Sequence, residues 1–182
     1  MAVTFTELPA EELTKFVNAW GTLPREAAGR SDPPLRSEGL AAYLDLPSNA
    51  DAQLMPGALT RVADRLHAIF SAESGEAAAQ QLTDLLLGTG ACPALKVAAD
   101  GSLKAVWRVN DLDELLVAAS GLALREYVST HGFNRIGTCT GDHCVDVYID
   151  RSPGGRRRFC SVTCQNRTRV AAFRRRRAAA AD

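Results

Sequence analysis

Four cysteines near the end of the chain are grouped in two pairs. Cys139 and Cys144 have four residues between them, Cys160 and Cys164 have three, and fifteen residues separate the pairs. A tetrahedral Zn²⁺ site needs four soft donors at about 2.3 Å from the metal, and two short-spaced pairs supply them without a large core. Four thiolates also close the coordination shell to substrates. The spacing therefore predicts a structural zinc site rather than a catalytic one.

Other readings of the cysteines remain open. Two disulfides would use the same four residues, but we expect a reducing cytoplasm, since the start MAVTFTELPAEELTKF lacks the pattern of a secretory signal. His143 could replace Cys144 as a ligand, although its adjacency to Cys144 favours a neighbouring role. Cys92 is interpreted as a small apolar residue outside the site.

A basic segment surrounds the second cysteine pair. Residues 135–182 hold 11 Lys and Arg against 4 Asp and Glu, a net +7, whereas residues 1–134 hold 10 against 17, a net −7. Such asymmetry is typical of a nucleic-acid-binding segment on an acidic body, and arginine matches both guanine edges and phosphate oxygens. A solvated basic tail is the plain alternative. The candidate nucleic-acid-binding residues are Arg156, Arg157, Arg158, Asn166, Arg167, Arg169, Arg174, Arg175, Arg176 and Arg177.

The residues between and after the cysteine pairs predict a hairpin followed by a helix. Alternating apolar residues in VDVYID form one strand, Pro153-Gly154-Gly155 turns the chain, and residues 156–159 return it. Ser161 is the predicted N-cap of a helix over residues 162–177, which places Cys164 in the first turn, where the helix dipole favours thiolate. We expect this helix to turn one side toward the hairpin, namely Val162, Asn166, Val170 and Phe173, and to carry Arg167, Arg174 and Arg175 on another.

The first 134 residues predict a helical body with one β-hairpin. In EELTKFVNAW, apolar residues recur at helical spacing, and Pro56 suits the first turn of a later helix. Asp100-Gly101 is a hairpin signal within residues 95–109. Further helices are predicted after Ser37, over residues 76–87 and over residues 112–130. The fold class is mainly α, with a helical domain (1–134), a treble-clef-like four-cysteine finger (135–177) and a disordered tail (178–182).

Residues 139–177 resemble the CGNR zinc finger, named for a Cys-Gly-Asn-Arg run at its last ligand. Cys164, Asn166 and Arg167 match that run, and Ser161 matches the serine that commonly follows the third cysteine. Gln165 stands where that run has glycine. Glutamine is well tolerated within a helix, but its side chain prevents the close backbone approach that glycine permits. The body, with FVNAW near its start, is similar to the helical ABATE-type domain usually found before this finger.

The resemblance implies a bacterial family described as stress-induced transcription regulators. We therefore expect a cytoplasmic, zinc-dependent regulator that binds DNA through the finger and its terminal helix, with a body that senses a small-molecule effector or forms a homodimer. A protein- or RNA-interaction module with the same finger is the alternative. We expect no enzyme, because the chain holds no Gly-rich phosphate loop or nucleophile motif, and no membrane partner, because the terminal helix holds few large apolar residues.

Overall fold

The computed structural model describes residues 3–5, 8–34 and 55–179. The helix predicted after Ser37 lies outside these ranges, as do residues 180–182. None of the helices in the described ranges is long and apolar enough to cross a membrane. In chain order the elements are β1 (Val3–Phe5), α1 (Ala10–Trp20), α2 (Thr22–Ala27), α3 (Pro56–Phe70), α4 (Gly75–Thr89), β2 (Cys92–Val97), β3 (Leu103–Val109), α5 (Leu112–His131), a 3₁₀ turn (Phe133–Arg135), β4 (Ile136–Thr138), β5 (Val147–Ile149) and α6 (Val162–Ala179).

The helices of the body pack around α5, confirming the mainly α fold class. This helix is buried on all sides from Leu115 to Leu124, as expected for a helix without a polar face there. α1 and α4 pack against it, and α3 contacts all three. Pro56 stands in the first turn of α3, as predicted. The predicted apolar stripe of α1 is also confirmed, since its buried residues are Leu13, Phe16, Val17 and Trp20.

A three-stranded antiparallel sheet in the order β1-β3-β2 completes the body. The predicted hairpin is confirmed: β2 pairs with β3, and Gly101 in the turn has a φ of 81°, which glycine adopts without strain. The third strand, β1, was not predicted from the sequence. It adds Phe5 opposite Trp107 on β3. Phe5 is buried, so β1 ties the sheet to the helical core.

A second, two-stranded sheet begins the finger, and its pairing differs from the prediction. β5 pairs antiparallel with β4, which precedes the first cysteine, so that Thr138 lies opposite Val147. Residues 156–159 form no strand. The reason is that their backbone groups bond to loops instead of a strand: the Arg157 N–H donates to the Asp150 carboxylate, and the Arg158 carbonyl accepts from Thr140. Ile136, Val147 and Ile149 belong to the same hydrophobic cluster as the body helices, so the β4–β5 hairpin is packed onto the body.

The last helix, α6, does not turn the predicted side toward the hairpin. Val162, Asn166, Val170 and Phe173 were expected to face the hairpin, but Asn166 is exposed and the three apolar side chains are 72%, 49% and 54% exposed. Cys164 is the buried residue of α6. The reason is that the hairpin packs its apolar side chains against α1 and α3, which leaves no apolar surface for α6 to cover. α6 therefore lies outside the core and exposes its apolar residues.

Candidate metal centre and basic surface

The four predicted ligands lie together at one end of the molecule. The sulfur atoms of Cys139, Cys144, Cys160 and Cys164 are all within 4.8 Å of one another. The Cys139–Cys164 Sγ distance is 3.4 Å, and the Cys144–Cys160 Sγ distance is 3.7 Å. Four sulfurs at about 2.3 Å from a tetrahedral metal would be separated by about 3.8 Å, whereas a disulfide needs about 2.05 Å. The donor set therefore fits a tetrahedral metal ion, and neither pair is oxidised.

The first pair is held by a short turn of glycine and histidine. The Gly141 N–H donates to Cys139 Sγ at 3.4 Å, and the Cys144 N–H donates to the Gly141 carbonyl at 3.1 Å. A Cβ on Gly141 would lie 2.4 Å from Cys164 Sγ, so only glycine fits there. His143 occupies the turn with a φ of 56°. The second cysteine of this pair, Cys144, belongs to the metal-ligand cluster, so His143 is not needed as a ligand.

The second pair lies at the start of α6, as predicted. The Ser161 hydroxyl accepts a hydrogen bond from the Cys164 N–H at 3.1 Å and so caps the helix. Cys164 is thereby placed in the first helical turn, where the positive end of the dipole stabilises a thiolate. One turn later, the Thr168 hydroxyl donates to the Cys164 carbonyl at 3.1 Å.

Burial is the largest single influence on the pKa values of Cys139, Cys144 and Cys160 when no metal is bound. It raises the pKa of Cys144 to about 12, and it raises the pKa of Cys160 as well. Burial also acts to raise the pKa of Cys139, but hydrogen bonds led by the backbone N–H groups of Cys160 and Gly141 outweigh it, so that pKa is lowered. A metal that binds here must displace thiol protons.

Two of the predicted nucleic-acid contacts lie against the metal cluster. The Arg167 guanidinium donates to Cys164 Sγ at 3.6 Å and to the Asp142 carbonyl at 3.4 Å. Arg175, two turns later, forms an ion pair with the Asp142 carboxylate at 3.0 Å. This ion pair is the one hydrogen-bonded contact that the last three turns of α6 make to another element, within the described chain. Arg167 and Arg175 thus brace α6 against the first cysteine turn.

Arg157 is likewise engaged inside the finger. Its guanidinium donates to the carbonyls of Phe159 at 2.8 Å, Ile149 at 3.1 Å and Cys160. It also lies over the Tyr148 ring, 5.7 Å from the ring centroid. These bonds connect the end of β5 to the residues just before the third cysteine. Arg157 therefore shapes the approach to Cys160.

Asp150, which the sequence analysis missed, organises the loop after β5. Its carboxylate accepts from the Ser152 hydroxyl at 2.6 Å, the Ser152 N–H at 2.9 Å and the Arg157 N–H at 2.8 Å. Burial acts to raise the pKa of Asp150, but these hydrogen bonds and the charge of Arg135 lower it overall. The available signal was the Asp-Arg-Ser run, since aspartate often bonds the backbone two residues on.

A basic cleft lies at the start of α6. Its volume is about 600 Å³, and it continues onto the side of α6 that bears Gln165. Arg156 and Arg158 make no hydrogen bond or ion pair through their side chains to any described residue, unlike Arg157. Arg169 and Arg174, farther along α6, are likewise unpaired within the described ranges. The arginines that line the cleft are Arg151, Arg156, Arg157 and Arg158.

Three polar side chains of the body contact the backbone of the finger, and the roles of these three were not predicted from the sequence. The Asn18 amide donates to the Val147 carbonyl at 3.0 Å and accepts from the Val147 N–H at 2.7 Å. His67 Nε2 lies 2.8 Å from the Val145 carbonyl oxygen, and the Tyr127 hydroxyl donates to the Asp150 carbonyl at 2.8 Å. α1, α3 and α5 thus each contribute one polar side chain that contacts the finger backbone.

Comparison with known proteins identifies the C-terminal part of the chain. Residues 135–177 match the family model described as the CGNR zinc finger. No curated protein matches the chain. The resemblance predicted for residues 139–177 is therefore confirmed, and a zinc finger domain is present. The match does not extend over the helical body, whose similarity to the ABATE-type domain stays a prediction.

Proposed function

We propose that the protein is a zinc-dependent, DNA-binding transcriptional regulator whose CGNR zinc finger contacts duplex DNA. The observation that carries the proposal is the continuity of two features: the basic cleft at the start of α6 and the exposed side of that helix. The helix is 18 residues long, about 27 Å at 1.5 Å per residue, and the DNA major groove is about 12 Å wide. An exposed helix of this size and charge fits such a groove.

The side of α6 that points away from the metal cluster has the chemistry of a DNA-reading surface. At 100° per residue, Arg169 and Arg176 lie on the opposite side of the helix from Cys164. Asn166 on the same side is exposed and can pair with an adenine edge. The exposed apolar side chains Val162 and Phe173 suit thymine methyl groups. We call this outward side, with Val162, Gln165, Asn166, Arg169, Val170, Phe173, Arg176 and Arg177, the reading face.

The candidate arginines divide into two roles in this proposal. Arg157, Arg167 and Arg175 already bond to protein oxygens or sulfur, so their first role is to shape the finger. Those without a side-chain partner within the described ranges are available to phosphates. They are Arg156 and Arg158 in the cleft, and Arg169 and Arg174 on α6. Arg176 and Arg177 contact only α6 itself, at the Ala172 carbonyl and over the Phe173 ring, and they too can turn to phosphates.

A location in the cytoplasm and a binding role rather than an enzymatic one are parts of the same proposal. A four-cysteine metal site needs thiols that are not oxidised to disulfides, a condition that a reducing compartment provides. Four cysteine ligands would complete a tetrahedral shell around zinc, which leaves no open position for chemistry. When bound, the metal supplies folding free energy to the finger.

An interaction module is the second candidate, and one observation favours it. Val162, Val170 and Phe173 form an exposed apolar row within the basic helix. An acidic protein with an apolar groove would match that row by the helix-in-groove mode. The role of Phe173 separates the candidates, because Phe173→Ala should abolish binding to such a protein and weaken DNA binding only modestly.

The deciding experiment is the salt dependence of binding to a fluorescent mixed-sequence duplex, with RNA of equal charge as competitor. Each phosphate contact contributes about −0.9 to the slope of log affinity against log salt. Arg169→Gln combined with Arg176→Gln should therefore flatten the slope by about 1.8. Arg61→Gln, on α3 of the body, is the matched control and should leave the slope unchanged. An unchanged slope in the double variant would remove α6 from the DNA-binding surface.

A further inference from the structure

A second cavity lies in the helical body, away from the metal cluster. Its volume is about 340 Å³, and it opens between α4 and α5. The floor reaches the segment that leads from α5 into the finger. Most of its walls are apolar, formed by residues that include Ile69, Ala78, Leu82, Val128, Phe133 and Ile136. The size falls within the range of small-molecule sites.

Arg125 is the one ionisable residue among those that line this cavity. It is exposed and makes no hydrogen bond or ion pair to any residue in the described part of the chain. A guanidinium is charged at all physiological pH values and pairs with carboxylates through two parallel hydrogen bonds. The lining hydroxyls offer no such donor, because Thr83 donates to the Ala79 carbonyl and Ser129 to the Glu126 carbonyl.

We propose that this cavity binds an apolar monocarboxylate, with its tail against the apolar walls and its carboxylate on Arg125. At about 30 Å³ for each water-sized group, the volume accommodates roughly ten non-hydrogen atoms. A straight-chain acid of eight carbons has that size. A sugar or a polyanion does not match a site with a single cation and mostly apolar walls.

The position of the cavity gives the ligand a route to the finger. Phe133 and Ile136 line it, and Ile136 is the first residue of β4, whose end leads directly to Cys139. A ligand packed against these two side chains contacts the segment that positions the first metal ligand. Its effect on DNA binding rests on the proposed function, whereas the binding of the acid does not.

The test is calorimetric titration of the full, zinc-loaded chain with octanoate and, separately, with 1-octanol. We expect octanoate to bind at least tenfold more tightly, because only its carboxylate can pair with the guanidinium. Arg125→Gln should remove that difference, and Ala79→Phe, at an exposed lining position, should block both ligands. Arg61→Gln is the matched control and should bind like the wild type.

Two results would overturn the site. One is octanoate binding no more tightly than 1-octanol, and the other is an Arg125→Gln variant with wild-type affinity for octanoate. The regulatory consequence is read separately, from DNA affinity with and without octanoate. Octanoate binding in a protein that binds no DNA would uphold the ligand site and refute the proposed function, so the two failures can be told apart.

Discussion

Replacing Asn18 with alanine tests how strongly the body holds the finger. Its amide bonds both backbone groups of Val147, which is 1% exposed, whereas Asn18 itself is half-buried, so each lost bond should cost less than the loss of a partner at a fully buried group. A buried polar group without a partner costs about 1–3 kcal/mol. Two groups in the lower half of that range predict a loss of about 3 kcal/mol in the free energy of unfolding. In a chain of 182 residues this corresponds to a fall of about 6–12 °C in Tm.

The assay is urea unfolding of the zinc-loaded protein, with helix loss followed by circular dichroism and zinc release by a chromophoric chelator. Because Asn18 belongs to the body and Val147 to the finger, both midpoints should fall together in Asn18→Ala. Thr14→Ala is the control on the same helix, since the Thr14 hydroxyl bonds only the Glu11 carbonyl of its own helix. A loss no larger than that of Thr14→Ala, or a zinc-release midpoint that does not move, would refute the reasoning.

Three further predictions concern the metal site and the loop after β5. Cys92→Ser should retain one zinc per chain by metal analysis, whereas Cys160→Ser should lose it; zinc loss in the first variant would place Cys92 in the site. Arg167→Ala should weaken zinc about tenfold in chelator competition, as is usual when a residue bonded to a metal ligand is removed; lost DNA affinity at unchanged zinc affinity would instead make Arg167 a DNA contact. Asp150 has a lowered pKa, so its stabilisation is present above the unfolded pKa of about 3.9 and is lost as pH falls through that value and below. Asp150→Asn should therefore lower the free energy of unfolding by about 2 kcal/mol at pH 7 and make it less dependent on pH between pH 5 and 3. A loss at pH 3 as large as the loss at pH 7 would contradict this.

The features that could be predicted from the sequence are those encoded within a few neighbouring residues. The α1 stripe and the Asp100-Gly101 turn each follow from a local period or dipeptide. The cysteine cluster was predictable for a related reason, because the short spacing within each pair lets both of its sulfurs bind the same metal ion. Ser161 as N-cap is another local rule that the structure confirms.

The features that escaped prediction depend on contacts between distant residues. The orientation of α6 could not be deduced from Val162, Val170 and Phe173, because their burial depends on whether the hairpin has apolar surface to spare. Its apolar side chains are instead buried against α1 and α3. The role of Asn18, within the FVNAW segment, could not be deduced either, since its partner lies 129 residues away. Three-residue strands such as β1 are too short to show a period.

α6 is held at its first turns by the metal cluster, and its other end projects from the molecule. Its far end lies about 27 Å from the capped start, and a rotation of about 5° at the metal cluster would move the Arg177 end by roughly 2 Å. That displacement approaches the 3.4 Å spacing between successive base pairs on a strand. The exposed Arg175–Asp142 ion pair restrains the rotation only weakly, since such pairs contribute less than about 1 kcal/mol. If α6 binds DNA as proposed, small changes in how the four sulfurs are held would shift the tip of the helix by more than half of a base-pair step.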